Sequence, residues 1–136
     1  MPAFIRWPGK IPPNSVTGQV AVTMDWTATI LTLAKTKADP KFPLDGIDLM
    51  PVITGKKKPV ARTLYWRMFQ RSKQKAIRDG NWKYLKDEKG EWLFDLAADA
   101  DEKKDLKEKE KQIFEKLKQK YNEWEKTVLE PVALVQ

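Results

Sequence analysis

The 136-residue chain contains no cysteine and no histidine. Zinc sites built from those ligands, thiol nucleophiles and every catalytic arrangement that needs an imidazole are therefore excluded within it. Disulfides are excluded as a source of stability as well. Long apolar runs are also missing, and nothing approaches the roughly 20 residues needed to span a bilayer. Met1 is followed at once by Pro2 and the strand-like AFIRW, which leaves no room for a basic, apolar and cleavable leader, so no export signal is expected in the chain itself. Glycine-rich phosphate loops, nucleophile elbows and paired catalytic acids are not visible either.

What is abundant is positive charge, at a net +7 with 41% apolar residues, which suits one modest core. The excess is local. Between Lys56 and Lys86, Lys56, Lys57, Lys58, Arg62, Arg67, Arg71, Lys73, Lys75, Arg78, Lys83 and Lys86 face one acid, Asp79. Such a cluster attracts phosphate, sulfate or nucleic acid. From Asp99 to Lys126 nine acids balance nine bases. Asp99, Asp101, Glu102 and Asp105 superficially suggest a calcium loop, but they lack the alternating ligands, central glycine and distal glutamate of one. Their expected role is to cap a helix and complement its dipole.

Periodicity predicts a strand over Ala3–Trp7 ending at Pro8-Gly9, then a proline-rich loop. A helix is expected from Asp25, with Trp26, Ile30, Leu33 and Ala34 on its apolar face, Leu31 widening that face, and Thr23 or Asp25 as its cap. A connector containing one helical turn near residues 47–53 follows. Arg62–Phe69, Lys75–Lys86 and Glu91–Leu96 read as strands, the second carrying at Asp79-Gly80-Asn81 a bend or bulge signal that either interrupts one strand or divides it into two short strands of a hairpin. One amphipathic helix is expected from Asp101 to about Leu129, its stripe formed by Leu106, Ile113, Phe114, Leu117, Tyr121, Trp124 and Val128. The fold class is therefore α+β: a small antiparallel sheet of three to four strands packed by a long C-terminal helix. The aromatic residues Tyr65, Trp66, Phe69, Trp82 and Tyr84 are then accounted for as packing, which makes nucleic acid an unfavoured partner.

Five segments in order, PAFIRWPGKIP (2–12), DWTATILTLA (25–34), LDGIDLMPVITGK (44–56), AIRDGNWKYL (76–85) and LFDLAADADEKKDL (93–106), resemble the C-terminal portion of the type I sulfatases, the arylsulfatase family of the alkaline-phosphatase-like superfamily. Ala28 and Ala100 stand where that family usually has proline, and Asp105 where it usually has Asn. The resemblance implies that residues 1–55 supply the last strand and helix of a larger α/β domain and that residues 56–136 form the C-terminal subdomain. It implies a sulfuric ester hydrolase that uses calcium and a formylglycine made from a Cys or Ser in a C/S-x-P-x-R motif. That motif is absent here, and the family's metal-binding residues and active-site lysine would precede Pro2. The chain is thus expected to contain no catalytic and no metal residue, to partner an N-terminal catalytic domain, and to be inactive alone. Family members are periplasmic, secreted or lysosomal. Arg67, Arg71, Lys73, Lys75 and Arg78 are the candidate rim of the cleft that receives a sulfated substrate in the intact enzyme. The competing reading is an independent module that binds anionic polysaccharide or nucleic acid. Exposed apolar surface is expected on the Ala3–Trp7 segment and the Trp26 helix.

Overall fold

The computed structural model describes residues 3–69 and 73–129. The chain divides into two compact units, 1–60 and 61–136, each taken by itself below.

The first unit holds helix α1 (Thr23–Leu33) and the one-turn helix α2 (Met50–Ile53). The expected strand at Ala3–Trp7 does not form; these residues are in irregular backbone, and Phe4 is 93% exposed. A strand exists only through hydrogen bonds to a neighbour, and no described residue of this unit supplies one. Helix α1 forms where the period predicts it, but it buries a different face. Asp25, Ala28 and Thr29 are buried, while Ile30 is 61% and Leu33 42% exposed.

The reason is polar. The Asp25 carboxylate accepts hydrogen bonds from the Val22 amide (2.7 Å) and from the Ile47 amide (2.9 Å). One turn on, the Thr29 hydroxyl donates to the Asp25 carbonyl (2.7 Å) and accepts from the Leu49 amide (2.9 Å). The i, i+4 pair thus fastens residues 47–49 to one side of α1, and buried backbone donors find acceptors there. Gly46 permits the approach, since a Cβ at that position would lie 2.2 Å from the Met24 carbonyl oxygen. Asp25 acts from the third helical position, with Val22 as the N-cap, so neither Thr23 nor Asp25 is itself the cap residue. Beyond residue 49, the Asp48 side chain accepts from the Met50 amide (2.9 Å) and α2 closes on Gly55 at φ +75°.

The second unit is a four-stranded antiparallel sheet in the order β1 (Thr63–Arg67), β2 (Lys75–Asp79), β3 (Trp82–Lys86), β4 (Glu91–Asp95), covered on one face by helix α3 (Lys111–Glu125). The bend at Gly80-Asn81 is a two-residue hairpin loop between paired Asp79 and Trp82, with Gly80 at φ +60°. A positive φ at that loop position is what glycine supplies without steric conflict. Tyr65, Ile77, Tyr84 and Leu93 lie opposite one another in a single cross-strand row. Because side chains alternate faces along each strand, this register puts all four on the side of α3. Ile77, Tyr84 and Leu93 meet Leu117 and Tyr121 of the helix in the buried core. Tyr65 stacks on Trp124 at 4.7 Å, and Tyr84 meets Phe114 edge-on at 5.5 Å.

Helix α3 is shorter than the expected span from Asp101 to Leu129. Residues 101–110 form turns that close the edge of β4 instead. The Asp105 carboxylate accepts from the Leu93 amide (3.1 Å), and the Leu106 amide donates to the Leu93 carbonyl (2.8 Å). Asp99 accepts from the Lys104 amide (2.7 Å), so it too caps loop amides and not the helix. The helix begins after Glu110 with no side-chain cap bond. Leu106 still packs on the core, though from a turn. Val128 follows the helix end at Glu125.

Candidate functional site

The basic cluster does not stay together as one surface. On the α3 side of the sheet, Lys75 at the start of β2 pairs with Glu125 at 2.7 Å, and Arg67 at the end of β1 lies 4.0 Å from the same carboxylate. Arg67 also donates to the Leu129 carbonyl oxygen. These two cations therefore fasten the end of α3 to the sheet. Lys120 reaches Asp79 and the Thr63 hydroxyl, both at 2.8 Å. Glu91 receives Lys118 at 2.7 Å and Lys86 at 2.9 Å. Lys83, on the opposite face, is held by Glu102 at 2.6 Å. Glu125 and Glu102, both from the charge-balanced segment 99–126, thus pair Arg67, Lys75 and Lys83 of the basic cluster, and Glu91 on β4 pairs Lys86.

Of the five candidate rim residues, Lys73 and Arg78 remain without such a structural anchor to α3. Lys73 sits in the β1–β2 loop at φ +45°, in an exposed pair with Glu88 at 3.0 Å. Arg78 lies on the sheet face away from α3, aligned with Leu64, Lys83 and, one strand further, Phe94. Its Nε donates to the Gly80 carbonyl at 3.0 Å. Arg71 lies outside the described residues.

Electrostatics follow these pairings. The Asp79 carboxyl is held below its ordinary 3.8 by the hydrogen bond from Lys120, against the opposing effect of burial. For Glu91, burial pushes upward, but the hydrogen bonds from Lys118 and Lys86 together outweigh it and leave the carboxyl below its ordinary 4.5. Burial pushes the Tyr84 phenol well up and the Tyr121 phenol up to about 12, so both remain neutral donors over the working range. A depressed carboxyl contributes stability that is present above its unfolded value and is lost as pH falls through its folded value. The second unit should accordingly hold a constant melting temperature from neutral pH to about pH 5 and lose it below 4.5 and then 3.8. Glu91→Gln and Asp79→Asn should each lessen that acid loss; acid melting curves unchanged from the parent would count against both assignments.

Among the described residues no three acidic side chains gather closely enough to hold a metal ion, and no described helix is long and apolar enough to cross a membrane. One feature of the first unit was not anticipated from sequence. An open cleft of about 480 Å³ is lined by Trp7, Lys10, Leu33, Asp48, Met50 and Lys56, among others. Its signal in the sequence is two Gly-Lys steps, Gly9-Lys10 and Gly55-Lys56.

A family model described as N-sulphoglucosamine sulphohydrolase, C-terminal, matches residues 1–127. The chain belongs to this sulfatase family. It is 34% identical over 85 residues to arylsulfatase A of Bos taurus, covering 60% of this chain and 16% of the relative. An uncharacterized sulfatase of Schizosaccharomyces pombe is 34% identical over 118 residues, covering 77% of this chain and 21% of the relative. N-acetylgalactosamine-6-sulfatase of Canis lupus familiaris is 35% identical over 66 residues, 48% of this chain and 13% of that protein. Each of these sulfatases is thus several times longer than the part this chain matches. The fold is shared with the crystal structure of Ps i-CgsB, also solved in complex with k-i-k-neocarrahexaose, at a TM-score of 0.76, 24% identity and coverage of 87% of this chain and 27% of that one. A sulfatase structure from a Bacteroides thetaiotaomicron locus for metabolism of multiple glycosaminoglycans aligns with a TM-score of 0.67 at 22% identity, covering 88% of this chain and 28% of that one. This sulfatase chain therefore corresponds to the C-terminal portion of its relatives.

Proposed function

We propose that the chain is the non-catalytic C-terminal part of a sulfate-ester hydrolase and acts by completing an enzyme whose reaction is carried out by a preceding catalytic portion. The observation that carries this reading is the family match across residues 1–127. It is supported by a second unit in which the pairs Lys75–Glu125, Lys118–Glu91 and Lys120–Asp79 fasten α3 to the sheet and serve structure. Calcium and formylglycine are the groups the family implies. The residues in hand do not fit either: the described residues gather no set of three acidic ligands, and the sequence has no Cys and no Ser followed by x-P-x-R. No step of the reaction is therefore assigned to this chain.

Its contribution to the intact enzyme is toward the anionic substrate. Lys73 and Arg78 are the described rim candidates left for that role, together with Arg71, while Arg67 and Lys75 are better described as structural cations. In the full-length enzyme, Arg78→Gln combined with Lys73→Gln should raise KM for a polysulfated saccharide about tenfold with kcat little changed, as expected for lost uniform binding. Removing Glu125 as Glu125→Gln should instead lower stability by about 1 kcal/mol, the scale of a partly exposed pair, and leave KM alone. An unchanged KM in the Arg78/Lys73 variant removes these residues from the rim.

A further inference from the structure

We infer that the cleft between Lys10 and Lys56 in the first unit binds one sulfated ring of an anionic saccharide. The inference rests on the proposed sulfated substrate class, and deepens it by assigning residues that hold the glycan rather than hydrolyse it. Lys10 and Lys56 are exposed, and neither has an ion-pair or hydrogen-bonding side-chain partner among the described residues. They differ in this from Lys75, Lys83, Lys86, Lys118 and Lys120, which are all paired. Asp48 is the one acid in the lining, and its Oδ1 already accepts from the Met50 amide at 2.9 Å. Lys57 and Lys58 follow directly and add to the positive field.

Backbone turns fix the main chain at or beside each lysine, while the ammonium groups stay free to meet a ligand. The Lys10 and Ile11 amides both donate to the Trp7 carbonyl, at 3.1 and 3.0 Å, closing a turn through Gly9 at φ +74°. That turn brings Trp7 and Lys10 together in the lining of the cleft. Gly55 at φ +75° and the bond from the Lys57 amide to the Pro51 carbonyl at 2.8 Å terminate α2, and Lys56 between them also lines the cleft. Leu33, Met50 and Pro51 contribute apolar lining between them.

This combination matches the chemistry of a sulfated sugar. The apolar lining and indole meet the C–H faces of a ring, and two ammonium groups, each a compact charge with three donors, meet its sulfates. A cleft of about 480 Å³ has room for one ring with its sulfates. A single-stranded nucleic acid would be met by successive aromatic platforms along a basic groove, whereas Trp7 is the one aromatic in this lining.

The test titrates the whole 136-residue chain with a heparin oligosaccharide and with the same oligosaccharide chemically desulfated, by calorimetry, at about 50 and 200 mM salt. The sulfated probe should bind, weaken steeply with salt, and lose about tenfold in affinity in the Lys10→Gln/Lys56→Gln variant. Trp7→Ala should weaken it as well. Lys10→Arg/Lys56→Arg should stay near the parent, and Lys103→Gln, a surface exchange elsewhere, should not change it. Equal affinity in the double Gln variant, equal binding of the desulfated probe, or tighter binding of a single-stranded oligonucleotide of matched charge would each overturn the assignment. Circular dichroism of each variant separates lost binding from lost folding. Because the readout is binding and not turnover, failure here leaves the sulfatase reading standing, and failure of that reading leaves this titration unmoved.

Discussion

Leu93→Ala should lower the stability of the second unit by about 2 to 5 kcal/mol, the range for a leucine deleted from a close-packed core. Leu93 is fully buried, and it ends the cross-strand row that begins at Tyr65 and passes through Ile77 and Tyr84. Its backbone is engaged as well, since the amide bonds to Asp105 and the carbonyl receives the Leu106 amide. Removing the side chain opens a cavity beneath Leu117 and Tyr121, the two residues of α3 that are buried. A unit of this size commonly has a total stability of only about 4 to 11 kcal/mol, so the loss is a large fraction of it. Thermal unfolding followed by near-ultraviolet circular dichroism should register a fall of about 10 °C or more. Leu129→Ala, at a position 89% exposed, should stay within about 0.5 kcal/mol. The carbonyl that Arg67 holds there belongs to the backbone and survives the exchange. Equal effects at the two positions would contradict the row as the centre of the core.

Asp25→Ala should be the corresponding lesion in the first unit. The carboxylate is fully buried and is the acceptor for the Val22 and Ile47 amides. A buried donor left without an acceptor costs about 1 to 3 kcal/mol; both amides are part-buried, so each falls in the lower half of that range and a total near 3 kcal/mol is expected. Asp25→Asn, which keeps a carbonyl oxygen of the same reach, should cost less. Hydrogen exchange localises the effect: protection of the Ile47 amide should fall in Asp25→Ala, and Leu49, held by Thr29, should follow. Unaltered protection at Ile47 would show that residues 47–49 are held to α1 by something else.

These two sites also mark where sequence reasoning succeeds and where it stops. The sheet was legible because alternation in TLYWR, KAIRD, WKYLK and EWLFD is a local property, and Gly80-Asn81 announces its own turn. The buried residues of α3 lay on the apolar stripe for the same reason. Helix α1 shows the limit, since its period was visible while its buried side was not. A polar pair, Asp25 and Thr29, selects that side by bonding to backbone about 20 residues away in sequence. The segment 101–110 is rich in lysine and acids that favour helix when judged alone. Asp105 and Leu106 are instead committed to Leu93, a tertiary bond that no local pattern reveals.

The rim residues were obscured in the same way. Lys75 and Glu125 are separated by 50 positions, so the pairing of this part of the cluster was hidden in sequence. The expectation of exposed apolar surface in the first unit came from the family resemblance, which implies a larger domain for these residues, and Phe4 and Ile30 bear it out. Trp7 and Lys10 were in view as a turn, but Lys56 joins them only when α2 folds.

The central proposal is that this chain, a member of the sulfatase family, is part of a sulfate-ester hydrolase and does not itself carry the chemistry. The most direct measurement is hydrolysis of an aryl sulfate, in the presence of calcium, by the chain alone and by the same chain joined to the catalytic portion proposed for it. The account predicts turnover from the joined protein and none above buffer from the isolated chain. Sustained turnover by the isolated chain, abolished when the chain is unfolded, would contradict it.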